Sequence, residues 1–146
     1  MRRLLLVVPF VFACTKSDAP KPDASAAPAA AALTDADVSG TWKGSLMPAG
    51  SDSVVSHWTQ ICGAGTCRGT SDGAPDTVVA TYTLAGDSSI GVSSPVSNAM
   101  TKGATVIDHW VAHILAGRVT GTGRMTLASK PDSVVMAYHF TGSRTP

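Results

Sequence analysis

Apolar and polar side chains alternate along most of the C-terminal three-quarters of the chain. In one such segment Tyr82 and Leu84 fall on one face of the chain, whereas Thr81 and Thr83 fall on the other. A period of two residues is typical of β-strands that have one face in a core and the other in water. The pattern predicts eight strands, at residues 39–47, 53–62, 66–71, 77–84, 88–93, 104–115, 118–127 and 133–143.

The connections between these segments predict how the strands are arranged. Strands joined by few residues pair as antiparallel neighbours, and eight of them can close so that no sheet edge stays unpaired. We therefore predict an all-β fold, an eight-stranded antiparallel up-and-down meander barrel, with a two-sheet β-sandwich as the alternative. The composition supports it, because the chain has 16 Thr and 15 Val but no Glu, a residue that favours helices.

The two ends of this barrel are expected to differ. Ala85-Gly86 and Ala116-Gly117 are short turns at one end, whereas Met47–Asp52 and Ser93–Gly103 are longer connections at the other. The end with the longer connections is therefore where a partner would find the larger exposed surface.

The first thirteen residues have the pattern of a secretory signal peptide. Met1-Arg2-Arg3 is basic, Leu4–Phe12 is apolar, and Ala13 is a small residue before a cleavage point. Nine apolar residues rise roughly 14 Å as a helix, about half of a bilayer core, so the segment is too short to span a membrane. We expect residues 1–13 to be removed on export.

The stretch Val11-Phe12-Ala13-Cys14 resembles the lipobox of bacterial lipoproteins. The resemblance implies that Cys14 becomes the first residue of the mature chain and carries the lipid. Two acyl chains anchor a protein stably where one does not. Because Thr15 stands where Asp would retain such a protein at the inner membrane, the resemblance favours the outer membrane, facing the periplasm.

Residues 14–32 are expected to be the lipidated N-terminus and a tether. Eleven of the fourteen residues at 19–32 are Ala or Pro, and the segment has no large apolar residue to pack. Prolines break helices, so the segment predicts an extended spacer. The β-barrel domain then occupies residues 33–146.

Cysteine usage predicts one disulfide bond. With Cys14 assigned to lipid, Cys62 and Cys67 remain as an even pair, and an exported protein meets an oxidising compartment. A metal site is not expected, because His109 and His113 lie about 13 Å apart on one strand and no CxxC, HxH or HExxH spacing occurs.

Val38-Ser-Gly-Thr-Trp42 opens the first predicted strand and resembles the Gly-x-Trp start of calycins, the lipocalin and avidin-like barrels. The resemblance implies that Trp42 plugs the closed end of a barrel and that a late basic residue, here Arg144, packs across it. It also implies a small-molecule pocket inside the barrel.

Large aromatic rings are the main candidates for such a pocket. In calycin-like barrels residues of this kind line the pocket, although the interior of an eight-stranded barrel is also just wide enough to be filled by side chains. Both readings are open from the sequence. The candidate ligand-binding residues are Trp42, Trp58, Tyr82, Asp108, Trp110 and Tyr138.

Asp108 is a candidate only in one of two phases of its strand. If Ala116-Gly117 is a two-residue turn, Trp110 faces Gly123 and Asp108 points inward, where a carboxylate needs a partner or a raised pKa. If Gly117 forms a bulge, His109 and His113 point inward instead. A turn at Ala85-Gly86 would match Val78 to Val92, and this register favours the bulge. Trp110 favours the first phase, because a ring of its size is expected to be buried.

Charge and motifs exclude several function classes. With 11 basic and 10 acidic residues the net charge is +1, which argues against a nucleic-acid partner. No Gly-x-Ser-x-Gly elbow is present, and without Glu no Glu-based acid–base chemistry is available. We expect no enzyme activity and no cofactor.

The expected function is that of a lipid-anchored cell-envelope protein whose small barrel binds a small apolar or amphipathic ligand. Its partners would then be the membrane, through the anchor, and that ligand. A protein-binding envelope module and a structural lipoprotein without a pocket are the alternatives. One inhibitor variant rests on Met100-Thr101-Lys102-Gly103, which resembles the Thr-Lys-Gly motif of membrane-bound lysozyme inhibitors and implies that Lys102 enters the lysozyme cleft.

Overall fold

The structure is a computed structural model and describes residues 31–72, 74 and 77–146. The predicted signal peptide, Cys14 and nearly all of the tether lie outside these residues. A short helix, α1 (Asp35–Val38), precedes nine strands and one 3-10 helix. These elements are β1 (Gly40–Pro48), β2 (Ser56–Gly63), β3 (Thr66–Ser71), β4 (Val78–Ala85), β5 (Ser88–Ser93), β6 (Val96–Ser97), the 3-10 helix Ala99–Thr101, β7 (Thr105–Leu115), β8 (Arg118–Leu127) and β9 (Lys130–Arg144).

Eight of these strands form one closed antiparallel barrel. Neighbours along the chain pair with each other, β1 also pairs with β9, and β5 pairs with β7, which closes the ring. The two-residue strand β6 pairs only with the start of β7. The predicted up-and-down barrel is therefore confirmed over the two-sheet β-sandwich, and each of the eight barrel strands has a paired neighbour on both sides.

Two strands begin three residues from their predicted starts, whereas the other six barrel strands begin within one residue of theirs. β2 begins at Ser56 rather than residue 53, because Val54 and Val55 stand exposed before the ladder with β1 begins. β9 begins at Lys130, directly after a two-residue turn, and the register of its pairing with β8 is irregular at Thr126 of β8. Alternation alone does not show where backbone pairing starts.

The register between β4 and β5 differs from the predicted one. The turn consists of Gly86 and Asp87, so Val92 pairs with Thr81 and not with Val78. Val92 therefore points outward, and Gly91 lies on the inner face. The prediction was wrong because it put the turn at Ala85-Gly86, whereas the observed turn brings Gly91, which has no side chain, against the Trp110 ring.

The phase of β7 is the one set by a two-residue turn at Ala116-Gly117. Trp110 pairs with Gly123, and Asp108 pairs with Met125. Asp108 and Trp110 therefore lie on the inner face. His113 is exposed and lies 3.8 Å from Asp87, so the bulged alternative is wrong.

The end of the barrel with the short turns is closed by α1 and Trp42. The indole N–H of Trp42 donates to the Val38 carbonyl at 2.7 Å, and the Arg144 guanidinium lies 5.0 Å from the centroid of the Trp42 ring. Arg144 also donates to the carbonyls of Ala36 and Asp37. One cation thus ties the last strand to the first strand and to the last carbonyls of α1, where the helix dipole favours it.

Cys62 and Cys67 are disulfide-bonded across the β2–β3 hairpin, with their Cα atoms 4.1 Å apart. Cys67 is buried beside Val38 and Tyr82 under the closed end. The predicted pairing is confirmed.

Removing this bond by a Cys62→Ser, Cys67→Ser double substitution is expected to lower the free energy of unfolding by about 2 kcal/mol. The loop is short, so the bond removes little entropy from the unfolded chain. Urea unfolding followed by tryptophan fluorescence measures the change. A reduced wild-type chain should unfold at the same urea concentration as the double variant, and an unchanged midpoint would show that the bond adds nothing.

Candidate functional site

A cavity of about 90 Å³ lies inside the barrel, in the half nearer the longer connections. Its wall comes from β1, β2, β3, β4, β7, β8 and β9, and the segment that holds β6 and the 3-10 helix lies against it through Val96, Asn98 and Met100. Most of the wall is apolar or aromatic. An apolar cavity with a few polar groups is typical of small-molecule binding sites.

Asp108 and Tyr138 form the polar centre of the cavity. The Tyr138 hydroxyl lies 2.7 and 2.8 Å from the two carboxylate oxygens of Asp108 and donates to them. Tyr138 is buried, and Asp108 is half-buried and lines the cavity. A carboxylate has about four acceptor sites. The Tyr138 hydroxyl and the His109 backbone N–H together therefore still leave acceptor capacity for a ligand.

Burial raises the pKa values of both groups. It raises the pKa of Asp108 to about 6, against the opposing effect of the hydrogen bond from Tyr138. It also raises the pKa of Tyr138 well above its ordinary value, and the neighbouring Asp108 charge adds to that shift. At neutral pH the site therefore holds a carboxylate and a neutral phenol.

Glycines in the barrel wall make room for the aromatic rings of the cavity. A Cβ atom at Gly91 would lie 2.1 Å from the Trp110 ring, and one at Gly123 would lie 2.3 Å from the Tyr138 ring. Real side-chain contacts are never so short. Each ring thus occupies space that the glycine of a neighbouring strand leaves free.

Trp58 is positioned in the same way on the opposite side of the cavity. Its ring covers Gly44 of β1 and Gly142 of β9, and it meets the Phe140 ring edge-on with centroids 6.0 Å apart. Its buried indole N–H has no hydrogen-bond partner in the described part of the chain. An unpaired buried donor costs free energy, so a bound acceptor would find a partner here after a small shift.

Asn98 fixes the segment that lies against the cavity. Its side-chain oxygen accepts from the Met100 backbone N–H at 2.8 Å, and its amide nitrogen lies 3.8 Å from the sulfur of Met125. Asn98 is buried although it stands in a connection between strands. This amide ties the loop to the barrel wall and keeps Met100 at the cavity.

The cavity brings together four of the six predicted ligand-binding residues: Trp58, Asp108, Trp110 and Tyr138. Trp42 and Tyr82 lie elsewhere, at the closed end. Tyr82 donates a hydrogen bond to Asp35 of α1. That bond is the largest cause of the lowered pKa of Asp35, whereas burial is the largest cause of the raised pKa of Tyr82.

Sequence reasoning missed four polar residues of the wall. Gln60 and Ser71 lie on the inner faces of β2 and β3, Thr70 of β3 also lines the cavity, and Asn98 lies in the loop. The alternation of β2 could have found Gln60, because it shares a face with Trp58. No signal in the sequence marks Asn98 as buried.

Lys102 is exposed and ends the 3-10 helix in a left-handed conformation, with φ of 58°.

Within residues 31–72, 74 and 77–146, no group of three or more His, Cys or Asp side chains is placed to hold a metal ion. Of the helices described there, none is long and apolar enough to cross a bilayer. No family model, curated protein or solved structure matches the chain. The fold and the site therefore define its class, a closed eight-stranded barrel with a small, partly polar internal cavity.

Proposed function

We propose that this protein is a lipid-anchored cell-envelope lipoprotein whose barrel binds a small apolar or amphipathic ligand, without catalysis. The observation that carries the binding part is the cavity, where an aromatic wall surrounds the free acceptor capacity of Asp108. The anchoring part rests on the lipobox resemblance at Cys14. Export suits a domain that has a disulfide bond.

The size of the cavity limits what enters it. A volume of about 90 Å³ is well below the range of roughly 300–1,000 Å³ that holds drug-sized ligands. The ligand, or the part of it that enters, therefore has only a few non-hydrogen atoms. The remainder of an amphipathic ligand would pass Val96 and Met100 toward the end with the longer connections.

Native mass spectrometry of the full chain tests ligand binding. The chain is expressed with its own export signal in a bacterial host and extracted from the envelope in mild detergent. We expect a bound small molecule, and we expect Ser71→Phe to lose it, because that ring would fill the cavity from β3. Arg68→Phe, on the outer face of the same strand, is the matched control. A wild-type chain without a non-covalently bound small molecule, whatever the mass of its acyl chains, would overturn the proposed binding.

The anchor is tested in the same preparation. The mature wild-type chain should begin at Cys14, carry the mass of the acyl chains and sediment with membranes. Cys14→Ala should leave the membrane fraction. A wild-type chain that is cut after Ala13 and carries no lipid would refute the anchor and leave the ligand site untouched.

A further inference from the structure

We propose that the group bound at Asp108 is a small organic cation, an alkylammonium whose N–H donors pair with the carboxylate. This inference rests on the proposed binding function and specifies its ligand class. It starts from the charges that surround the cavity.

Asp108 has no cationic partner in the described part of the cavity wall. No lysine, arginine or histidine is among the described lining residues, and the only side chain that donates to the carboxylate there is Tyr138. The neighbours of Asp108 on β7 and β8, His109 and Arg124, lie on the outer faces of their strands. A desolvated carboxylate without a counter-charge is costly. A ligand cation would offset that cost.

The aromatic wall favours the same ligand. Trp58, Trp110, Tyr138 and Phe140 all line the cavity, and the Tyr138 and Phe140 rings lie 6.1 Å apart. Ring faces attract organic cations, most strongly where water is excluded. An alkyl group on the cation would also contact the apolar wall at Leu46 and Val106.

The other classes of small ligand fit less well. A carboxylate or phosphate group would meet the like charge of Asp108. A metal ion needs several oxygen or nitrogen ligands, and the described residues offer no such group around this single carboxylate. A neutral ligand with a hydrogen-bond donor could bond to Asp108, but it would leave the negative charge of the carboxylate unpaired. The alkylammonium supplies the counter-charge, places its N–H donors on the carboxylate and fits the apolar wall together, although it offers no acceptor to the Trp58 indole N–H.

Two isosteric probes test the charge requirement. Isopropylammonium and isopropanol have the same number of non-hydrogen atoms, and binding of each to the full chain is followed by the NMR shifts of the tryptophan indole N–H groups. A hydrogen bond to a charged group is worth enough to expect about a tenfold or greater preference for the ammonium. Asp108→Asn, which keeps the shape, should abolish the preference.

Asp132→Asn is the matched control, because Asp132 is exposed on β9 and should not change the preference. Equal affinity of the two probes, or a preference that survives Asp108→Asn, would overturn the cation inference while the barrel remained a ligand-binding protein. Failure of both probes to bind also overturns it. The native mass spectra judge the proposed function separately, because they use the ligand from the envelope.

Discussion

Replacing Trp42 by alanine is expected to lower the free energy of unfolding by about 3–5 kcal/mol, the largest effect of any single substitution considered for this barrel. Trp42 is 3% exposed, and its ring belongs to the main core. The change would leave a cavity at the closed end and leave the Val38 carbonyl without its indole donor. It would also remove the ring against which Arg144 packs.

Urea unfolding with a circular-dichroism signal measures this loss. Leu115→Ala is the control, because Leu115 is 81% exposed and its truncation should change stability by only about 0.5 kcal/mol. Since Trp42 is not among the residues that line the ligand cavity, ligand binding by the folded variant should persist. A stability loss below about 1 kcal/mol would mean that α1 and Arg144 close the barrel without the ring.

Asp108→Asn is expected to stabilise the unliganded protein at neutral pH by about 3 kcal/mol and to give no gain near pH 4. Burial raises the pKa of this carboxyl from 3.8 to about 6 in the folded protein. Between these values the folded state binds more protons than the unfolded state, so the contribution of Asp108 to stability falls as pH rises. Above about pH 6 both states are ionised, and a shift of about 2 pH units corresponds to about 3 kcal/mol.

The difference between wild type and variant, measured from pH 4 to 8, isolates this group. The stability of the wild type as a function of pH does not isolate it. Hydrogen bonds lower the pKa values of Asp35, Asp37 and Asp72, and these three groups change stability with pH in the opposite direction. Their stabilising effect is present above their unfolded pKa and is lost as pH falls. Asp132→Asn, which removes an exposed carboxyl of β9, is the control. A flat difference for Asp108→Asn would mean that the carboxyl is solvated in the folded protein.

The stability of the Asp108→Asn variant and its preference between the two probes together bear on why Asp108 is there. An interior carboxylate that lowers stability at neutral pH is the kind of group that proteins tolerate at binding sites. If the asparagine variant is more stable and also loses the preference for isopropylammonium, stability and binding are opposed at one residue. That result would support the proposed ligand class independently of the natural ligand.

The candidate site was only partly predictable. Trp58 and Tyr138 could be placed on inner faces because their strands alternate clearly, and an inward Asp108 followed from a two-residue turn after β7. The sequence could not show that Trp42 and Tyr82 lie outside the cavity. Alternation gives the face on which a side chain lies, but it does not give the position of that side chain along the barrel axis. Distance from the closed end decides which of these rings meets the ligand.

By itself the sequence determined the strands, their nearest-neighbour pairing and the disulfide bond, because each depends on periods, turns and spacings within a short stretch of chain. The tertiary structure alone decided the phase of β7, the reversed face of β5 and the burial of Asn98. A shift of one residue in a turn exchanges the two faces of a strand, and local propensity barely separates the two outcomes. The observed phase is the one in which the Trp110 ring occupies the space that Gly91 of β5 leaves open, a contact that no local pattern in the sequence shows.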